Sequence, residues 1–62
     1  MSIARIAQDY AYAFDIPLDE IREWYRGSED KGGLIDYMAQ QVAELRAWRQ
    51  QVADEYHARV AA

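Results

Sequence analysis

The feature that most constrains this chain is an apolar stripe that runs through almost all of its second half. Between residues 33 and 60, apolar side chains return every three or four residues and no proline interrupts them. At about 100° per residue, they fall within an arc roughly 100° wide on a helix. The stripe consists of Leu34, Ile35, Met38, Val42, Leu45, Val52, Tyr56 and Val60, with Trp48 at its edge. The sequence therefore predicts one uninterrupted helix over residues 33–60, roughly 40 Å long.

Two shorter helices are predicted ahead of this long one. Ser2 is a candidate N-cap, and apolar residues at helical spacing follow it, which predicts a helix over residues 2–14. Pro17 disfavours a helical conformation at Ile16 and suits the first position of a second helix, over residues 17–26. The predicted buried side of this helix is Leu18, Ile21, Trp24 and Tyr25. We thus expect a single all-α domain over residues 1–62 with three helices.

The small size of the chain makes self-association the expected source of extra stability. The chain has 62 residues, no cysteine and one histidine, His57, so disulfides and histidine-pair metal sites are excluded. A domain of this size buries only about 60% of its unfolded surface. The two short helices are long enough to cover about half of the third. We therefore predict a homodimer, with its interface formed by Leu45, Trp48, Arg49, Val52, Tyr56 and Val60.

Arg49 stands near the centre of the apolar arc, where a leucine would be expected. In one interpretation its aliphatic stem packs against the stripe while the guanidinium reaches water. In the other it forms an ion pair across the dimer or with a partner carboxylate, which would fix the register of the helices. The sequence leaves both interpretations open.

Charge and hydropathy favour a protein of the cytoplasm. The net charge is −4 and the pI is near 4.7, which disfavours non-specific binding to nucleic acid because phosphates would be repelled. No apolar run approaches the roughly 20 residues that a membrane span needs. Residues 1–5 lack the apolar region of a signal peptide. We predict a cytoplasmic location and no contact with a membrane.

The residues that usually perform catalysis do not form a recognisable set. His57 has no nucleophile nearby in sequence, and the two serines, Ser2 and Ser28, lie at predicted helix ends. Carboxylates on the second helix would need a pocket that shifts a pKa before they could act as acid and base. The sequence therefore predicts no enzyme activity, no cofactor and no metal site.

The segment 7–27, AQDYAYAFDIPLDEIREWYRG, resembles the helix-turn-helix of phage-repressor-type regulators and small antitoxins. The pattern is carried by core positions on both helices and by a small residue where the helices would cross: Tyr10, Ala11, Phe14, Ile16, Ile21 and Trp24. Asp15 stands where the family usually has glycine. The resemblance implies a recognition helix over residues 17–26, on which only Arg22 and Arg26 suit contacts with DNA. The would-be recognition helix departs from the pattern by opening with Pro17, Leu18, Asp19 and Glu20, followed by Glu23.

The function that the sequence favours is binding of a protein partner by a small regulatory or inhibitory homodimer. Phage-encoded inhibitors and antitoxins offer an analogy of size and charge only. The expected contact surface lies on the second helix and comprises Asp19, Glu20, Arg22, Glu23, Trp24, Tyr25 and Arg26. Trp24 and Tyr25 are adjacent and point about 100° apart, so one ring can be buried while the other is exposed. One alternative is a DNA-binding helix-turn-helix regulator or antitoxin. Another is a structural assembly protein, which would form oligomers larger than a dimer.

Overall fold

A computed structural model describes residues 2–61 and shows three helices in that range. They are α1 (Ile3–Phe14), α2 (Leu18–Gly27) and α3 (Lys31–Ala61), with no strand among the described residues. The prediction of an all-α chain with two short helices and one long C-terminal helix is confirmed. The predicted bounds differ from these by one or two residues at several ends, for reasons that lie in the caps.

The turn between α1 and α2 depends on a left-handed residue. Asp15 has φ 54° and ψ 47°, and its backbone N–H donates to the carbonyl of Ala11. Aspartate tolerates this conformation better than most residues, so the turn forms without glycine. Pro17 is extended, with φ −57° and ψ 134°, and its carbonyl accepts the N–H of Glu20 at 3.0 Å. The proline therefore precedes α2 as its N-cap instead of being its first residue.

The start of α3 is set by Asp30 instead of by the glycines. The Asp30 carboxylate accepts the backbone N–H of Gly33 at 2.9 Å, and its carbonyl accepts that of Leu34 at 3.1 Å. This cap satisfies amide groups that would otherwise lack partners in the first turn. The helix therefore begins at Lys31, two residues before the predicted start, while Gly27 closes α2 instead of following it.

The cap predicts different outcomes for alanine at the two adjacent glycines. A Cβ on Gly32 would meet only Asp30 Oδ1 at 4.0 Å, whereas one on Gly33 would overlap the Asp30 carboxylate. We expect Gly32→Ala to raise the free energy of unfolding by about 0.5–1 kcal/mol. Gly33→Ala should give no gain, because loss of the cap costs about 1 kcal/mol. Urea unfolding followed by circular dichroism would measure both; equal stabilisation by the two variants would contradict this account.

The core lies where α1 and α2 pack against the first half of α3. Its five buried apolar side chains are Ile6, Tyr10, Ile21, Met38 and Val42. The Tyr10 ring lies 4.7 Å from that of Phe14 and 6.5 Å from that of Tyr37, measured between centroids. Burial raises the pKa of Tyr10, and the neighbouring phenol of Tyr37 raises it further. The stability gained from burying the neutral Tyr10 phenol is therefore lost as pH rises through this raised pKa.

The second half of α3 extends beyond the other two helices. The Cα radius of gyration is 15.0 Å and the molecule measures 51 × 20 × 16 Å. A compact domain of this length would have a radius of gyration of about 11 Å. Near the middle of α3, the Asp9 carboxylate of α1 lies 3.6 Å from the guanidinium of Arg46. We call α1, α2 and residues 31–45 the head, and residues 46–61 the tail.

Candidate interaction surfaces

The exposed side of α2 combines one large aromatic ring with paired charges. Trp24 is 47% exposed, far more than its predicted place on the buried side allowed. Two ion pairs run along the helix: Arg26 Nη1 lies 2.9 Å from Glu23 Oε1, and Arg22 Nη1 lies 3.6 Å from Asp19 Oδ1. Because these pairs are exposed, they order the surface more than they stabilise the fold.

An apolar groove of about 420 Å³ lies beside α2, between α1 and the start of α3. Arg22, Tyr25 and Arg26 line it from α2, and Ile21 and Met38 form part of its floor. Its remaining lining residues are Ile3, Ala4, Ala7, Gln8, Leu18 and Ile35. The half-buried Tyr25 ring is held at the groove, with Lys31 Nζ 5.7 Å from its centroid.

The predicted contact residues of α2 therefore divide between two flanks. Arg22, Tyr25 and Arg26 border the groove, whereas Trp24 is on the other side of the buried Ile21 at about 100° per residue. Asp19, Glu20 and Glu23 are exposed and do not line the groove. Ile3 was not among the predicted contact residues, yet it lines the groove and its side chain is 51% exposed. The exposure of Ile3 could have been predicted from its position in the first turn of α1, ahead of the buried residues.

The predicted dimer interface lies mostly on the tail and is largely uncovered. Leu45, the last residue of the head, is half-buried and Arg49 is exposed. The other four predicted residues form what we call the exposed stripe: Trp48 (60% exposed), Val52 (44%), Tyr56 (64%) and Val60 (68%). They stand four residues apart, so they follow one another along a single side of the helix. Such a row of large apolar side chains is uncommon on a free surface.

Arg49 lies where the tail leaves the head. It borders a shallow depression shared with Asp9, Tyr12, Ala13 and Leu45 at the end of α1. Among residues 2–61, no carboxylate lies within ion-pair distance of its guanidinium. In a single copy of the chain, the guanidinium of Arg49 is therefore in water, beside the exposed stripe.

The one histidine of the chain, His57, belongs to the tail. His57 is exposed, with its ring 6.0 Å from that of Tyr56 between centroids. Within the described part of the chain, no three His, Cys, Asp or Glu side chains are grouped so that they could hold a metal ion. In the same residues, no helix is both long enough and apolar enough to cross a membrane.

Comparison of the chain with protein-family models, curated proteins and solved structures gave no match. Its function must therefore be inferred from the surfaces that the chain itself exposes.

Proposed function

We propose that this protein is a small, non-enzymatic regulator or inhibitor that binds a protein partner through α2 and acts as a homodimer through the tail. The observation that carries this proposal is the excess of exposed over buried apolar side chains. Among residues 2–61, five large or medium apolar side chains are buried, and nine large ones are exposed by 37–90%. A chain that worked alone would leave these groups in water, at a cost that association removes.

The α2 surface has the composition of a binding hot spot. Tryptophan, tyrosine and arginine are enriched among the residues that contribute most to protein–protein affinity. Trp24 offers a half-exposed ring, and Arg22 and Arg26 are already oriented by carboxylates at i−3. Three acidic and two basic side chains give α2 a charge of −1, on a chain of net charge −4. The partner surface that suits it is an apolar pocket with a basic rim.

DNA binding through α2 is the second candidate, favoured by the left-handed Asp15 at the turn of a helix-turn-helix-like segment. The charges on α2 weigh against it. Arg22 and Arg26, which would have to contact phosphate or guanine, are each paired with a carboxylate of the same helix. A DNA complex would have to separate these pairs and bring Glu20 towards the phosphates as well.

The test is capture of a partner from the native host by the protein and by two variants. Trp24→Ala removes the proposed anchor, and Tyr12→Ala, at a side chain 90% exposed on α1, is the matched control. The expected partner is retained by Tyr12→Ala, whereas its affinity for Trp24→Ala falls about 30-fold, the equivalent of a hot spot of about 2 kcal/mol.

Three results would count against this function. A partner bound equally well by both variants would place the contact elsewhere on the molecule. Specific DNA in the captured fraction, released steeply by salt, would favour the second candidate. Oligomers larger than a dimer in light scattering, with no partner captured, would favour an assembly protein.

A further inference from the structure

The exposed stripe and the core side of α3 belong to the same face of one helix. At about 100° per residue, the buried Met38 and Val42 share an arc with Val52, Tyr56 and Val60. The head covers the first half of this face, where Ile6 and Tyr10 of α1 pack on Met38 and Val42. What remains on the tail is the uncovered continuation of the same surface, in line with α1.

We propose that a second copy of this chain covers the exposed stripe and that the two α3 helices run antiparallel, crossing near residue 54. This inference rests on the homodimer in the proposed function and adds its direction and register. The stripe repeats every four residues, and residue 54 is its midpoint. A crossing at this point therefore brings each stripe residue level with another stripe residue of the partner subunit. Val52 is then level with Tyr56 of the partner subunit, and Trp48 is level with Val60 of the partner subunit.

The position of the head excludes the parallel arrangement. Two helices packed directly against each other lie about 8–10 Å apart, and each helix with its side chains is about 10–12 Å across. In a parallel pair both copies of α1 would have to fit between the two α3 helices at the same level. In the antiparallel pair the tail of one copy ends where the head of the other begins. The two heads then stand at opposite ends of the dimer.

The antiparallel register also supplies a partner for Trp48. Arg59 and Trp48 differ by only about 20° in their position around the helix. Side chains on the same flank meet across an antiparallel pair, so Arg59 of the partner subunit comes level with the indole of Trp48. A cation over an indole ring is a favourable contact. In a parallel pair, Trp48 would be level only with Trp48 of the partner subunit.

Distance measurements between spin labels test the direction and the register together. The chain has no cysteine, so Gln40→Cys and Ala58→Cys each give one labelling site. Both positions are exposed and lie at the same angle around α3, away from the stripe. For a crossing near residue 54, the axial distance between labels is about 42 Å for the Gln40 pair and about 12 Å for the Ala58 pair. We expect the measured Gln40 distance to exceed the Ala58 distance by at least about 20 Å.

Equal distances at the two sites would show a parallel pair and overturn the inference. The absence of any distance between subunits at tens of micromolar would overturn it as well. Neither result would affect the proposed role of α2, provided that the protein still captures its partner and that Trp24→Ala still weakens this binding. Conversely, an antiparallel dimer that captures no partner would refute the proposed binding function and leave this inference standing.

Discussion

Replacing Met38 with alanine is expected to unfold most of the protein at 25 °C. Met38 is 0% exposed, and it packs among Ile6, Tyr10 and Ile21 in the one cluster that joins the three helices. Truncating a buried methionine costs about 2–5 kcal/mol. A core in a domain of this size rarely supplies more than about 3–5 kcal/mol. Far-UV circular dichroism and a urea titration of the variant would measure the loss.

Met38→Leu is the matched control, since it keeps the volume and the apolar character of the side chain. It should cost less than about 1.5 kcal/mol and retain a cooperative transition. A Met38→Ala variant as stable as the parent protein would mean that the contact between the helices does not depend on this cluster.

Replacing Val52 with aspartate is expected to convert the proposed dimer to a monomer. Val52 is at the middle of the exposed stripe, next to the proposed crossing, so each subunit would bury a carboxylate level with the ring of Tyr56 of the partner subunit. Burying an unpaired charge costs several kcal/mol, which corresponds to a dissociation constant raised at least about 100-fold. Tyr56→Asp should act in the same way, and both variants should melt at a lower temperature than the parent protein.

Gln51→Asp provides the control for this second experiment. It adds the same charge one residue away, on the side of α3 that faces water, and should leave the dimer in place. Sedimentation at tens of micromolar would compare the parent protein with the three variants. If the parent protein itself sediments as a monomer at that concentration, the dimer proposal is wrong.

The number and order of the helices could be predicted from the sequence because the apolar spacing is regular and Pro17 separates the first two helices. The start of α3 could not. Two adjacent glycines disfavour a helix on intrinsic propensity, but Asp30 caps the Gly33 amide and the helix begins at Lys31, ahead of both glycines. Local propensity and capping compete within one turn, and only the geometry decides between them.

The extent of the candidate surfaces depended on packing that periodicity does not report. Trp24 has the spacing of a core residue, yet α1 and α3 meet α2 on the side of Ile21 and Tyr25, which leaves the indole half in water. The groove beside Tyr25 was not predicted either, because it is formed by three segments that are distant in sequence. The exposed stripe was predictable, since it follows from comparing the lengths of the helices.

The separation of the α2 face from the tail has a consequence for valency. The molecule is 51 Å long, and α2 packs beside the beginning of α3 while the tail forms the other end. In the proposed antiparallel dimer, the two α2 faces lie towards opposite ends of the assembly. Such a dimer would bridge two separate partner molecules, whereas two neighbouring sites on a single small partner would lie beyond its reach. Any gain in avidity will appear only with partners that are themselves large or clustered.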